Sequence, residues 1–221
     1  MAQAMGELAT LVANLREEEA LLAVRRHLEA GVSPAELLHA CQRGMRLVGS
    51  MHENGHYYIA GLIMAGEIMR QAVDLLKAVM IKEGRGKTYG RVLLGTIAGD
   101  IHDIGKNLFR DLLECHGFTV LDLGVDVPPA DFVRAESEFK PHLIAASALI
   151  TESFSHLREL VQLFEDSSRQ RPEPRPFILI GGGQVDERVF RMSGADHWGA
   201  DAFSGVRICR RLIKERRKRA V

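Results

Sequence analysis

One change of rhythm constrains this chain more than any other feature. From Met5 to about Met80 the apolar residues recur at helical spacing, with no alternating stretch among them. Beyond Gly90, short β-branched runs alternate with helical ones: Val92–Ile97, Thr119–Leu123, Leu143–Ser147 and Phe177–Ile180, with a weaker fifth near His197–Ala200. Strands that alternate with helices predict a parallel sheet with crossover helices. Their near-continuous apolar character agrees, because a parallel sheet is covered on both faces. The polar segment Glu83–Gly90 holds three glycines and lies between the two rhythms, so the expected organisation is a helical domain over residues 1–83, a linker over 84–90 and an α/β domain over 91–221.

Within the helical half, Leu8, Leu11, Val12 and Leu15 form one stripe, and Ala20–Leu28 forms a second segment that stops at Gly31. Ser33, Pro34 and Glu36 spell a capping box with a first-turn proline, after which Leu37, Leu38, Cys41, Met45 and Val48 continue a helix to Asn54-Gly55. A further helix is expected from Tyr58 to Met80, with Leu62, Met69, Val73 and Leu76 on its stripe. The basic segment Val206–Arg219 is expected to close the chain as a helix.

Composition excludes several classes. With 29 basic and 29 acidic side chains the formal charge is zero, so no overall field is available to hold nucleic acid or an anionic membrane. The longest apolar run, Tyr57–Gly66, is half of the roughly 20 residues a membrane span requires, and the first residues lack a secretory pattern. Three scattered cysteines show no C-x-x-C spacing, against a disulfide framework or structural zinc site. The expected location is the cytoplasm, with neither membrane nor nucleic acid as a partner.

Ligands of an open parallel sheet bind beyond the carboxyl ends of its strands. The loop after the first strand reads Ala98-Gly99-Asp100-Ile101-His102-Asp103-Ile104-Gly105-Lys106-Asn107, two carboxylates around one histidine and no phosphate-binding glycine pattern. A carboxylate two residues from a histidine can take one imidazole N–H while the other nitrogen faces a metal. Gly105 removes a side chain at the helix start. A second reading stays open on these residues, a turn in which Asp100 or Asp103 caps the next helix and His102 is a surface residue.

Asp100-x-His102-x-x-Gly105, Ser147-x-Leu149 and Gly181-Gly182 stand in the order and spacing of cobalamin-binding domains, and the chain resembles the corrinoid proteins of methyltransferase systems and B12-dependent methionine synthase. Tyr57–Leu76 resembles the last helices of the cap module in that family, so the likeness covers nearly the whole chain. The resemblance implies a helical cap followed by a Rossmann-like, flavodoxin-like cobalamin-binding domain. It implies that His102 replaces the cofactor's own base as lower cobalt ligand (base-off, His-on), with Asp100 bonded to the imidazole and Ser153 as third member. Asp103, Ile104 and Gly105 would border the corrinoid. Ser147, Leu149 and Thr151 would line the slot for the displaced nucleotide tail, and Gly181 and Gly182 would keep it open. Gly124–Pro128 would shape the corrin rim. Tyr58 and Leu62, with Met69 as a third candidate, would shield the upper cobalt face, the open alternative being that all three are bundle core; Ala60 stands where many members have proline and His56 where an acidic residue is common.

The function implied is a methyl carrier that cycles between cob(I) and methyl-cob(III) forms of cobalamin or a related corrinoid. Its partners would be a substrate-specific methyltransferase, a methyl-acceptor methyltransferase using tetrahydrofolate or a thiol, and a reductive activase. The alternatives are a cobalamin-dependent sensor or regulator and a mutase small subunit, the latter at odds with a preceding cap. Asp100 and Ser153 would couple protonation to methyl loading. His52-Glu53-Asn54-Gly55-His56 matches the zinc-protease motif literally, but Asn-Gly is a turn signal where that chemistry needs continuous helix. No G-x-S-x-G elbow accompanies Ser147. His197 and Trp198 are weighed as a border of the tail slot, and Arg210–Arg219 as a solvated helix face.

Overall fold

A computed structural model describes residues 2–80, 89–169 and 175–219, which form two compact units, Met1–Glu83 and Gly84–Val221. Most of the expected linker, residues 84–88, lies outside the described residues.

The first unit contains α1 (Ala2–Ala13), α2 (Glu17–Glu29), α3 (Pro34–Glu53) and α4 (Ile59–Met80). Leu8, Val12, Ala20, Val24, Leu37, Leu38, Val48, Ile68, Ala72 and Leu76 are buried among them. The helix crossing of α1 and α3 is close because residue 44 is glycine, where an added Cβ would lie 2.5 Å from the Cβ of Val12 and 2.7 Å from the carbonyl oxygen of Ala9. The capping box forms as expected: Glu36 N–H donates to the Ser33 hydroxyl and Ser33 N–H donates to the Glu36 carboxylate. The first stripe is shorter than its apolar spacing suggests. Leu15 takes a left-handed φ of 56° beyond α1, and the bonds Leu15 N–H to Val12 O and Arg16 N–H to Leu11 O close the helix so that α2 can turn back.

The second unit alternates β1 (Gly90–Thr96), α5 (Ile104–Cys115), β2 (Phe118–Asp122), α6 (Pro129–Phe139), β3 (Leu143–Ser147), a 3-10 turn (Thr151–Ser153), α7 (Phe154–Ser168), β4 (Phe177–Gly181), α8 (Glu187–Ser193), β5 (His197–Gly199) and α9 (Ala202–Arg219). All strand pairs are parallel, in the order β2-β1-β3-β4-β5. β1 starts at Gly90, one residue inside the expected linker, because the ladder pairs Gly90 with Phe118.

Alternate residues of each strand serve opposite faces. Leu93, Ile97, Ile144, Ile178 and Ile180 meet Phe132 of α6, Leu157, Leu160 and Phe164 of α7 and Val189 of α8. α5 and α9 cover the other face, with Leu108, Leu112, Cys209, Leu212 and Ile213 buried. Burial pushes the thiols of Cys41 and Cys209 up to about 12, which leaves them inert as nucleophiles. From β1 the chain steps to one side to reach β2, then crosses back to β3 on the other. The crevice of a doubly wound sheet opens at this reversal, at the carboxyl ends of β1 and β3.

Candidate functional site

Asp100 follows β1 through the bend Ala98-Gly99, and its side chain is buried. One carboxylate oxygen, Oδ1, accepts from the backbone N–H of His102 (3.0 Å) and lies 2.6 Å from His102 Nδ1. The other, Oδ2, accepts from the backbone N–H of Leu149 and more weakly from that of Ile150 (3.4 Å). The carboxylate thus ties the loop after β1 to the loop after β3. Burial on its own would raise its pKa, but the amides of His102 and Leu149 together with the His102 ring outweigh it and hold Asp100 below the ordinary carboxylate value.

An ionised carboxylate only accepts, so Nδ1 of His102 carries the proton and Nε2 is the nitrogen left to bind. The His102 side chain is 54% exposed while that of Asp100 is 0% exposed. A buried carboxylate therefore orients an accessible imidazole, the arrangement of a metal-ligating histidine. One such nitrogen suits a metal whose remaining ligands come from a macrocycle. Space agrees, because an added Cβ at Gly105 would meet nothing within 4 Å.

Other expected residues gather at the same strand ends. Thr96, Ser147 and Gly181 are register partners across β1, β3 and β4. Leu149 takes part through its backbone amide. Asp103 occupies the N-cap position of α5 but makes no side-chain cap, accepting instead from Asn107 Nδ2 (2.9 Å), and Ile104 begins that helix half-buried. Thr151 is exposed and bonds Glu152.

Ser153 departs from its expected contact, and the remaining residues take the following places. The Ser153 hydroxyl donates to the carbonyl oxygen of Ile150 (2.7 Å), and Asp100 Oδ2 is already taken by backbone amides, so Ser153 is not a third member bonded to Asp100. Gly182 is required by backbone crowding: at φ 138° an added Cβ would lie 1.8 Å from the carbonyl oxygen of Ala148. Gly181 is less demanding, its added Cβ meeting only Gly199 O at 3.4 Å. His197 pairs with Leu179, two residues back from the carboxyl end of β4, and Trp198 pairs with Ile180, one residue back, and packs against the core. Tyr58 precedes α4 and is 88% exposed, Leu62 is half-buried, and Met69 is core of the helical unit. The zinc-protease match fails on geometry, since α3 ends at Glu53, Gly55 has φ 75° and His52 Nδ1 is bonded to Tyr57 O.

Some residues of the site escaped the sequence reading. Thr96 is fully buried and donates its hydroxyl to His102 O (3.0 Å). Lys106, also buried, bonds Asp122 at 2.5 Å, while Arg110 reaches the same carboxylate and Gly124 N–H caps its other oxygen. Ile101, between Asp100 and His102, is 73% exposed; a large apolar residue in a polar loop was the available signal.

Comparison with known proteins agrees with this architecture. Two B12 binding domain families match, one over residues 90–207 and the other over residues 5–77. Trimethylamine corrinoid protein 2 of Methanosarcina acetivorans is 34% identical over 200 residues, covering 90% of this chain and 91% of that one. A solved cobalamin-binding protein from Desulfitobacterium hafniense DCB-2 is 34% identical, with 94% and 98% of the two chains covered and a TM-score of 0.53. The monomethylamine corrinoid protein of Methanosarcina barkeri, 24% identical with 96% and 99% coverage, shares the fold at a TM-score of 0.81. The chain belongs to the B12-binding family and, with these relatives, to its corrinoid proteins.

Proposed function

We propose that this protein is a corrinoid methyl carrier in which His102 would be the protein's ligand to cobalt. It would accept a methyl group from a substrate:corrinoid methyltransferase and yield it to a second methyltransferase acting on tetrahydrofolate or a thiol, with a reductive activase restoring the reduced form. The observation that carries this reading is the buried Asp100 carboxylate holding Nδ1 of an exposed imidazole. The relative named for trimethylamine supports methylamines as the first donors to test.

The bound corrinoid would supply a cobalt centre able to take up and release a methyl group. The chain's own residues would govern the histidine that holds it. With Nδ1–H committed to Asp100, the ring is held in one orientation and Nε2 is the nitrogen left to bind. Ser153 braces the carbonyl of Ile150, whose amide lies against Asp100. Ser147, Leu149, Thr151, Gly181 and Gly182 are assigned to the nucleotide tail, and Asp103, Ile104 and Gly105 to the corrinoid edge.

The test is electron paramagnetic resonance of protein reconstituted with cobalamin in the cob(II) state. Labelling histidine with 15N is expected to change the nitrogen splitting of the cobalt signal, and His102→Ala is expected to abolish that label dependence. A splitting indifferent to the label would mean that the cofactor keeps its own base and would overturn the reading. Methyl uptake in the presence of a methylamine and its methyltransferase, followed by absorbance, tests the carrier role.

A further inference from the structure

We propose that Asp126, in the loop after β2, is a positioning residue that fixes the Asp100–His102 pair from the side opposite the β3 loop. The inference rests on the reading of His102 as the cobalt ligand, but the contact itself is testable without cofactor.

Asp126 has a left-handed φ of 53°, a conformation that side-chain-bearing residues seldom adopt and that here has a specific result. It turns the residue so that both its backbone and its side chain face the first loop. The Asp126 N–H donates to the carbonyl oxygen of Asp100 (2.9 Å), while Asp126 Oδ1 accepts from the N–H of Gly99 (2.7 Å). One residue therefore grips two adjacent positions of the tip that carries the site carboxylate.

The surrounding backbone extends the grip. Thr96 N–H donates to Gly124 O, Val127 N–H to Thr96 O and Ala98 N–H to Val127 O, so the two loops continue the β1–β2 association past the ends of the strands. Asp126 is the outermost contact of this zipper and the one that reaches Gly99 and Asp100. The Asp100 side chain is meanwhile held by Leu149 N–H. Fixing the Asp100 backbone from the β2 side and its carboxylate from the β3 side leaves the imidazole little freedom. A hydrogen bond to a charged acceptor is the stronger kind, which makes Gly99 N–H to Asp126 the dominant link.

Two substitutions separate the carboxylate's role from that of the unusual backbone angle. Asp126→Asn keeps an acceptor oxygen and tolerates a left-handed φ, whereas Asp126→Gly relaxes the backbone but has no acceptor. In the cofactor-free full chain, the Gly99 amide of Asp126→Gly is expected to exchange with solvent about tenfold faster than in the unsubstituted protein, with Asp126→Asn much nearer to it. The His102 ring nitrogens, observed by 15N NMR, should change from one held tautomer to an averaged pair in Asp126→Gly only. If both variants match the unsubstituted protein in Gly99 exchange and ring signals, the inference is overturned.

A direct measurement covers the case in which Asp126→Gly does not fold. Scalar coupling across the hydrogen bond between the Gly99 amide nitrogen and the Asp126 carboxyl carbon is expected in the unsubstituted protein. Its absence, while the neighbouring Val127-to-Thr96 coupling is visible, overturns the inference. His102→Ala should leave the Gly99 protection intact, so failure of the cobalt-ligand reading and failure of the Asp126 contact are separate outcomes.

Discussion

The Thr96 hydroxyl, at the last residue of β1, donates to the carbonyl oxygen of His102 at 3.0 Å. This bond folds the loop back on the strand that launches it, so six residues beyond Thr96 the chain returns to the strand end. Thr96→Val keeps the shape and removes the donor, leaving a carbonyl without its partner. Stability is expected to fall by about 1 kcal/mol, read from the urea midpoint.

Asp100 makes the acid limb of stability its own. Its folded-state pKa lies below the ordinary value of 3.8, so the folded protein holds fewer protons than the unfolded chain in the interval between those two values. The stabilisation is fully present above 3.8 and disappears as pH drops through the folded value. Asp100→Asn has no such group and turns an NH2 toward backbone donors. It should cost on the order of 2 kcal/mol near neutrality and show a flatter decline toward acid, measured by urea denaturation across a pH series.

Gly181 and Gly182 are expected to respond differently to the same methyl group. Gly181→Ala meets only an ordinary contact with Gly199 O, and its stability should change by less than about 1 kcal/mol. Gly182→Ala collides with the Ala148 carbonyl and is expected to lose on the order of 3 kcal/mol or fail to fold, as thermal melts of the pair would show.

Lys106→Met removes one partner of a buried ion pair while preserving the aliphatic stem. Asp122 keeps Arg110 and the Gly124 amide, so the expected loss is about 3 kcal/mol, at the lower end of what an abandoned buried charge costs. Calorimetry of the variant, compared with Asp122→Asn and the double substitution, would measure the coupling.

Much of this architecture was legible because the relevant forces are local. The apolar run of β3 coincides with the strand observed, Leu143–Ser147, and Ser33 with Glu36 forms the cap its spacing announces. Asp100 and His102 were legible as a pair because a carboxylate two residues from a histidine can reach it without help from elsewhere. What escaped depends on distant chain segments. Thr96 reads as an ordinary β-branched strand former until its neighbour across the turn is known. Asp126 becomes informative only through its left-handed backbone and the return of a loop 27 positions from Gly99. Leu149 acts through an amide, which side-chain identity does not advertise. Ser153 has the right chemistry at the right distance in sequence, yet the 3-10 turn aims its hydroxyl at Ile150.

The uniform direction of the five strands divides the second unit's perimeter into a working rim and an idle one. A five-residue strand separates the two by about 17 Å. Insertions, tags or drift in the helix-to-strand turns at His116-Gly117 or near Lys140 therefore fall a full strand length from the His102 imidazole, giving evolution and the engineer alike a place to attach new modules far from the Asp100–His102 pair.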